Sequence, residues 1–220
     1  MRQFNLGDFE FLLLAARWTI LLSLYAAIGG GIVGLGIALM RTSTRAWLRW
    51  IAIGYIRVFQ GTPLLLQLFL VFFGGDMLGL PLGAWLSAIL GFSLNAGAFL
   101  GEIWRGAIQS VPTGQIEAAK ALGLGFVPRM LRVVLPQALR VAIPPTVGFL
   151  VNLIKSTSLA AIIGFVEVTR AGQMLNNATF RPFEAFIVAT GIYFCLSMLF
   201  STAFSAIERF AFGAPKDGRR

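Results

Sequence analysis

Histidine does not occur anywhere in the 220 residues. That removes the commonest general base and the commonest transition-metal ligand. Cysteine occurs once, as Cys195 within an apolar run, so neither an intrachain disulfide nor a cysteine-rich metal site can form. Charge is scarce: 12% of residues are charged, about half the share of an ordinary soluble domain. There is no GxxxxGK phosphate loop, since the string LIKST puts Ile154 where such a loop needs glycine. No nucleophile–base pair stands out and no helix carries paired metal ligands. The expectation is a chain with no catalytic residues, no metal site and no cofactor. The short segments of alternating polarity that a membrane barrel needs are missing. So is a cleavable signal peptide at the N-terminus, and the first apolar span is expected to direct insertion.

What is present is apolar: 57% of the chain is hydrophobic, and several runs approach the 20 or so residues that carry a helix across a bilayer. The expected class is an all-α integral membrane protein of about five spans, at about 18–40, 51–73, 82–103, 141–165 and 183–207, surrounded by membrane lipid. A polar N-terminal segment, 1–17, is expected to form a short helix lying on the membrane surface. The membrane domain then covers 18–208, and a basic tail covers 209–220. The first span carries Gly29, Gly30, Gly31, Gly34 and Gly36, which suit close helix packing. The net charge of +9 would suggest nucleic acid on a soluble protein. Here the basic residues cluster between spans, so topology explains them and nucleic acid is not an expected partner. One side collects Arg41, Arg45, Arg49, Arg57, Arg105, Lys120, Arg129, Arg132, Arg140, Arg209, Lys216, Arg219 and Arg220, 13 of the 18 basic residues; the other collects only Arg2, Arg17, Arg170 and Arg181. The bias places the N-terminus outside and the C-terminus in the cytoplasm.

The connection between the third and fourth spans, 105–140, is far longer than the usual 4–6 residues or so and has helical grammar of its own. Thr113 is placed to cap a helix, with Glu117 in its first turn, and Gly123 to close it in a left-handed conformation. A second helix is expected to start near Phe126, with Pro128 in its first turn, and to stop before Pro136. Ala118, Ala119 and Ala121 offer a thin surface, framed by Glu117 and Lys120, that can enter a groove on another protein. An amphipathic helix resting on lipid is the alternative.

The pattern EAAKALGLG, with Leu135-Pro136 placing the proline 13 residues after Gly123, resembles the signature loop of the integral permease subunits of bacterial ABC importers. QGTPLLLQLF from Gln60, SLNAGAFLGEIWRGAIQSVPTGQIEAAKALG from Ser93 and LIKSTSLAAIIGFVEVTR from Leu153 resemble the permeases for polar amino acids of the histidine, glutamine, glutamate, arginine and opine type. The resemblance runs from about Trp18 to Ile207. It implies five core helices per subunit and a second permease subunit, identical or homologous. It further implies two cytoplasmic ATPase subunits that hydrolyse ATP, a periplasmic or extracellular substrate-binding protein, and a place in the bacterial cytoplasmic (inner) membrane. It also implies that Glu117, Ala118, Ala119, Lys120, Ala121, Gly123 and Pro136 form the ATPase-coupling element. The chain departs from the family at Ser156, where many members carry an acidic residue, and the charge balance around Lys155 stays open.

Polar residues inside the spans are costly and point to function. Lys155 lies deep in the fourth span with Asn152, Ser156 and Ser158 near one side of the helix at three- and four-residue spacings. It can meet the carboxylate of a passing amino acid, or pair with backbone carbonyls or a carboxylate such as Glu102. Thr62 and Pro63, with Gly61, break the second span and free backbone groups to line a cavity; Gln67 follows one turn on. Asn95 is a further candidate for substrate contact or for an interhelical hydrogen bond. Glu167 and Arg170, at the outer end of the fourth span, are expected to be solvated or to meet the binding protein. A secondary transporter or small channel working without an ATPase is the alternative function, and a purely structural membrane protein is a third.

Overall fold

The computed structural model describes residues 4–212, and the side chains of 4–206. Among them there is no strand. Four helices are long and apolar enough to span a membrane, and a bent pair raises the number to five. From residue 213 on, the expected basic tail lies outside the described residues.

α1, Leu6–Thr42, starts at a reciprocal cap: Asn5 N–H donates to Asp8 Oδ2 at 2.9 Å and Asp8 N–H to Asn5 Oδ1 at 3.1 Å. No proline or cap interrupts the chain before Ser43, so residues 6–17 are not a separate surface helix but the first turns of α1. α2, Ala46–Gly61, and α3, Leu64–Met77, meet at 104°. Pro63 cannot continue a helix and becomes the N-cap of α3, its carbonyl accepting from Leu66 and Gln67 N–H. α4, Gly83–Gln109, is the most buried of the spans and packs along α1. That contact is set by small residues on both partners. A Cβ on Gly30 would lie 2.4 Å from Ala96 Cβ, and one on Gly34 3.0 Å from Leu100 Cβ. In return, one on Gly97 would lie 2.5 Å from Val33 Cγ1 and one on Gly101 2.7 Å from Ile37 Cγ2. Gly36 faces open space and takes no part.

α5, Thr113–Ala121, follows a short turn. The next helix does not stop before Pro136. It begins at Phe126, as α6, Phe126–Arg129, passes through a π turn at Met130–Val134, and continues as α7, Leu135–Ser156, which a 3₁₀ segment, Thr157–Ile163, extends. The wider π turn accommodates the proline, which has no N–H and whose ring needs room against the preceding turn. Leu135 N–H reaches back to Met130 O, and Gln137 Nε2 takes the Val133 carbonyl at 2.8 Å. The expected loop after the fourth span contains another helix, α8, Val168–Thr179. α9, Pro182–Phe212, is the last element among the described residues. The largest apolar cluster, around Leu22, Leu68, Phe92 and Leu153, joins α1, α3, α4 and α7.

Candidate functional site

The break in the α2–α3 pair leaves main-chain carbonyls without helical partners, and two amides take them. Gln67 Nε2 donates to Phe59 O at 2.8 Å, to Thr62 Oγ1 at 2.9 Å and to Thr62 O at 3.0 Å. Gln67 Oε1 accepts from Asn95 Nδ2 at 3.0 Å, and Asn95 also approaches Phe59 O at 3.4 Å. Both side chains are 6% exposed. Two more α2 side chains reach the α4 backbone: Tyr55 Oη donates to Leu94 O at 2.6 Å and Gln60 Nε2 to Ala98 O at 3.2 Å. The break is therefore a fixed corner clamped to α4.

Against this corner lies a cleft of about 290 Å³. Thr62, Asn95, Asn152 and Ser156 line it together with Gln60 and the stacked rings of Phe99 and Phe149, whose centroids are 5.3 Å apart. The structure thus brings together four of the eight residues expected along a substrate path. Gln67, buried, braces the wall from behind through its hydrogen bonds, and Pro63, Lys155 and Ser158 do not line the cleft. Ser156 Oγ donates to Asn152 O at 3.0 Å and Ser158 Oγ to Lys155 O at 2.8 Å, so both hydroxyl protons are spent on the backbone while the oxygens can still accept. Lys155 is exposed on this chain. It does not pair with Glu102, which Arg105 holds in a two-pronged ion pair while Arg41 Nε lies 3.8 Å away. The aromatic pair gave no sign in the sequence, because Phe99 and Phe149 are 50 residues apart and each reads as ordinary apolar filling.

The α5 helix ends as the sequence suggests: Gly123 has φ +75°, Leu124 N–H reaches Ala119 O at 3.0 Å and Gly123 N–H reaches Lys120 O at 2.9 Å, the paired bonds of a Schellman cap. The start differs. Pro112 is the N-cap, Thr113 lies inside the helix without a capping bond, and Glu117 falls past the first turn. The alanines also divide. Ala119 is buried, with Ile116 packed against Ala107, Val111, Val134 and Ala138, whereas Glu117, Ala118, Lys120 and Ala121 are exposed beside Leu122. The free face is thus narrower than the three alanines suggest. Pro136 lies at the π turn and shapes the support of α5 rather than its free face.

Glu167 is neither solvated nor exposed: it is fully buried and caps α8, accepting from Arg170 N–H at 3.0 Å and from Tyr193 Oη. Tyr193 Oη also lies 3.1 Å from Thr169 Oγ1. Burial raises the carboxyl pKa above its ordinary value, and the hydrogen bonds from Tyr193 and from the backbone at Thr169 and Arg170 oppose the shift. Arg170 lies over the same turn, its guanidinium 3.1 Å from Gln173 Oε1.

Among the described residues, four to five membrane-long helices with no strand, one of them broken beside a polar cleft, define a multi-pass membrane protein. The profile described as binding-protein-dependent transport system inner membrane component matches residues 30–212, and the chain belongs to that family, the permease subunits of ABC transporters. The probable amino-acid ABC transporter permease protein YckA of Bacillus subtilis (strain 168) is 36% identical over 92% of this chain and 89% of its own length. The nopaline transport system permease protein NocM of Agrobacterium fabrum (strain C58 / ATCC 33970) is 38% identical over 90% and 87%. Among solved structures, the crystal structure of an amino acid ABC transporter with histidines superposes with a TM-score of 0.88 at 32% identity, covering 95% of this chain and 99% of that one.

Proposed function

We propose that this chain forms the translocation pathway for polar amino acids in a bacterial ABC importer. It works with a second permease subunit, identical or homologous, two ATPase subunits that hydrolyse the ATP, and a binding protein on the outer side of the inner membrane. The relatives named for amino-acid and nopaline transport support the substrate class. The domain comprises residues 18–208, with the N-terminus outside and the C-terminus in the cytoplasm, and the distribution of Arg and Lys supports that orientation.

The observation that carries the reading is the face of α5. Glu117, Ala118, Lys120 and Ala121 stand free on a helix whose other side buries Ala119 and packs Ile116 against the cluster of Ala107, Val111, Val134 and Ala138. A push on that face passes through packed side chains to two membrane-long helices. ATP-driven closure of the paired ATPases moves α5 and rocks α4 and α7, so that the cleft opens to one side and then to the other. Thr62, Asn95, Asn152 and Ser156 offer the passing solute neutral hydrogen-bonding groups, and Lys155, exposed one residue before Ser156, meets its carboxylate at the seam with the second permease subunit.

Reconstitution of the chain with its ATPase and binding protein in liposomes tests the reading. ATP-dependent uptake of a polar amino acid is expected. Uptake by the chain alone, without ATPase or ATP, would instead establish a self-sufficient carrier.

A further inference from the structure

The main chain fixes which way each amide of the cleft points. A side-chain amide has an acceptor at one end and donors at the other, and a main-chain carbonyl takes only the donor end. The carbonyls of Phe59 and Thr62, at the helix break, take Gln67 Nε2 at 2.8 and 3.0 Å, so Gln67 Oε1 turns to Asn95. Asn95 answers with Nδ2 at 3.0 Å, and its Oδ1 is left without a partner among the described residues. In the same way the Ala98 carbonyl takes Gln60 Nε2 at 3.2 Å and leaves Gln60 Oε1 over. Thr62 and Ser156 spend their hydroxyl protons on the main-chain carbonyls of Val58, at 2.7 Å, and of Asn152, at 3.0 Å. Gln60, Thr62, Asn95 and Ser156 all line the cleft.

The cleft therefore meets a solute mainly with oxygen lone pairs. Against those oxygens, donors remain on the Asn152 amide, whose side chain has no partner among the described residues, and on the second proton of Gln60 Nε2. Phe59, Phe99 and Phe149 add ring faces, whose negative quadrupole attracts N–H groups and cations. No Asp, Glu, Lys or Arg lines the cleft. A side-chain carboxylate entering it sheds water and finds oxygens and ring faces, a loss that so few donors do not offset. A carboxamide or a guanidinium brings N–H donors to the same oxygens.

We propose that the cleft selects amino acids whose side chain ends in N–H donors, a carboxamide or a guanidinium, and excludes those whose side chain ends in a carboxylate. This rests on the reading of the cleft as the solute path and names the solutes it takes. The carboxylate common to all amino acids stays outside the cleft, where Lys155 meets it.

Ligand-observed NMR titration of the full chain, purified with the ATPase subunits that accompany it and without a binding protein, tests this with L-glutamine, L-arginine and L-glutamate. Glutamine and glutamate have the same shape and differ by an NH2 in place of an oxygen. Glutamine and arginine should bind at least about tenfold more tightly than glutamate. Asn152→Asp keeps the shape of an unpartnered side chain, removes the main free donor and adds a charge, so it should widen the preference for arginine over glutamate by roughly a further tenfold. Ser156→Lys, which puts an ammonium on the cleft wall, should reverse that preference, and both variants tie the selectivity to this chain rather than to a homologous partner. Glutamate binding as tightly as glutamine to the natural sequence overturns the proposal, and so does an arginine-to-glutamate ratio that Asn152→Asp leaves unchanged. Preference for glutamine in a chain that takes up solute without ATPase or ATP upholds the selectivity and sinks the importer reading alone. ATP-driven uptake by a permease that binds glutamate more tightly than glutamine does the reverse.

Discussion

Replacing Gln67 with leucine keeps the volume but removes the amide that ties the two halves of the broken span together. Gln67 Nε2 serves Phe59 O, Thr62 Oγ1 and Thr62 O within 3.0 Å, and its Oε1 accepts from Asn95. Inside a membrane protein a side-chain hydrogen bond contributes about 0.6 kcal/mol on average and at most about 1.7. With three bonds lost together and freed carbonyls left at the corner, the cost should be roughly 2–3 kcal/mol. For a chain of this length that is a fall in melting midpoint of roughly 5–10 °C, measurable by thermal unfolding in mild detergent. Gln67→Glu separates hydrogen bonding from packing. The carboxylate can accept but not donate, so it faces Phe59 O and Thr62 O with no proton to offer, and a charge within a span adds about 2.5–3.5 kcal/mol. The glutamate variant should therefore melt below the leucine variant, and Asn95→Leu should cost less in Gln67→Leu than in the natural sequence, because the bond between them is already gone. If Gln67→Leu melts like the natural protein but transports a different set of solutes, Gln67 contacts substrate and the scaffold role is wrong.

Gly30→Leu drives a side chain into Ala96, only 2.4 Å from the position its Cβ would take, and should cost at least about 1–3 kcal/mol of overpacking; Gly36→Leu, facing open space, should be nearly neutral, as denaturation midpoints would show. Glu167 binds its proton more tightly when folded than when unfolded, because its folded pKa is raised from 4.5. Stability should therefore fall as pH rises from about 4.5 through the raised folded value, and Glu167→Gln should flatten that slope in a pH series of melting curves. Tyr193→Phe, which removes a donor that favours the ionised carboxylate, should move the window to higher pH.

Elements whose cause is local could be read from the sequence. Gly123 closes α5 because a left-handed residue belongs after a short alanine-rich helix, and Thr62-Pro63 breaks the second span because proline cannot extend it. The errors arose where distant residues override a local rule. Pro136 reads as a stop, but a π turn and the Gln137 side chain carry the helix through it. Ala119 reads as part of a free surface but is buried, and Ile116, one turn before it, packs against a cluster that includes Val134 and Ala138. Residues 168–179 read as a loop because the cap that starts α8 is a glutamate held partly by Tyr193, 26 positions away. Within the cleft, the polar residues of single helices were visible as candidates. Which of them face the cavity and which brace its wall depended on the 104° corner.

The central claim is that a separate motor grips the free face of α5, and Ala118→Trp tests it most directly. Ala118 is exposed while its neighbour Ala119 is buried, so an indole at 118 fills the docking groove without disturbing the fold. With the ATPase and binding protein present in liposomes, the variant should insert and melt normally yet lose ATP-driven uptake, either by shedding the ATPase or by leaving its hydrolysis uncoupled. Full ATP-driven uptake with the natural stoichiometry of hydrolysis would contradict the account.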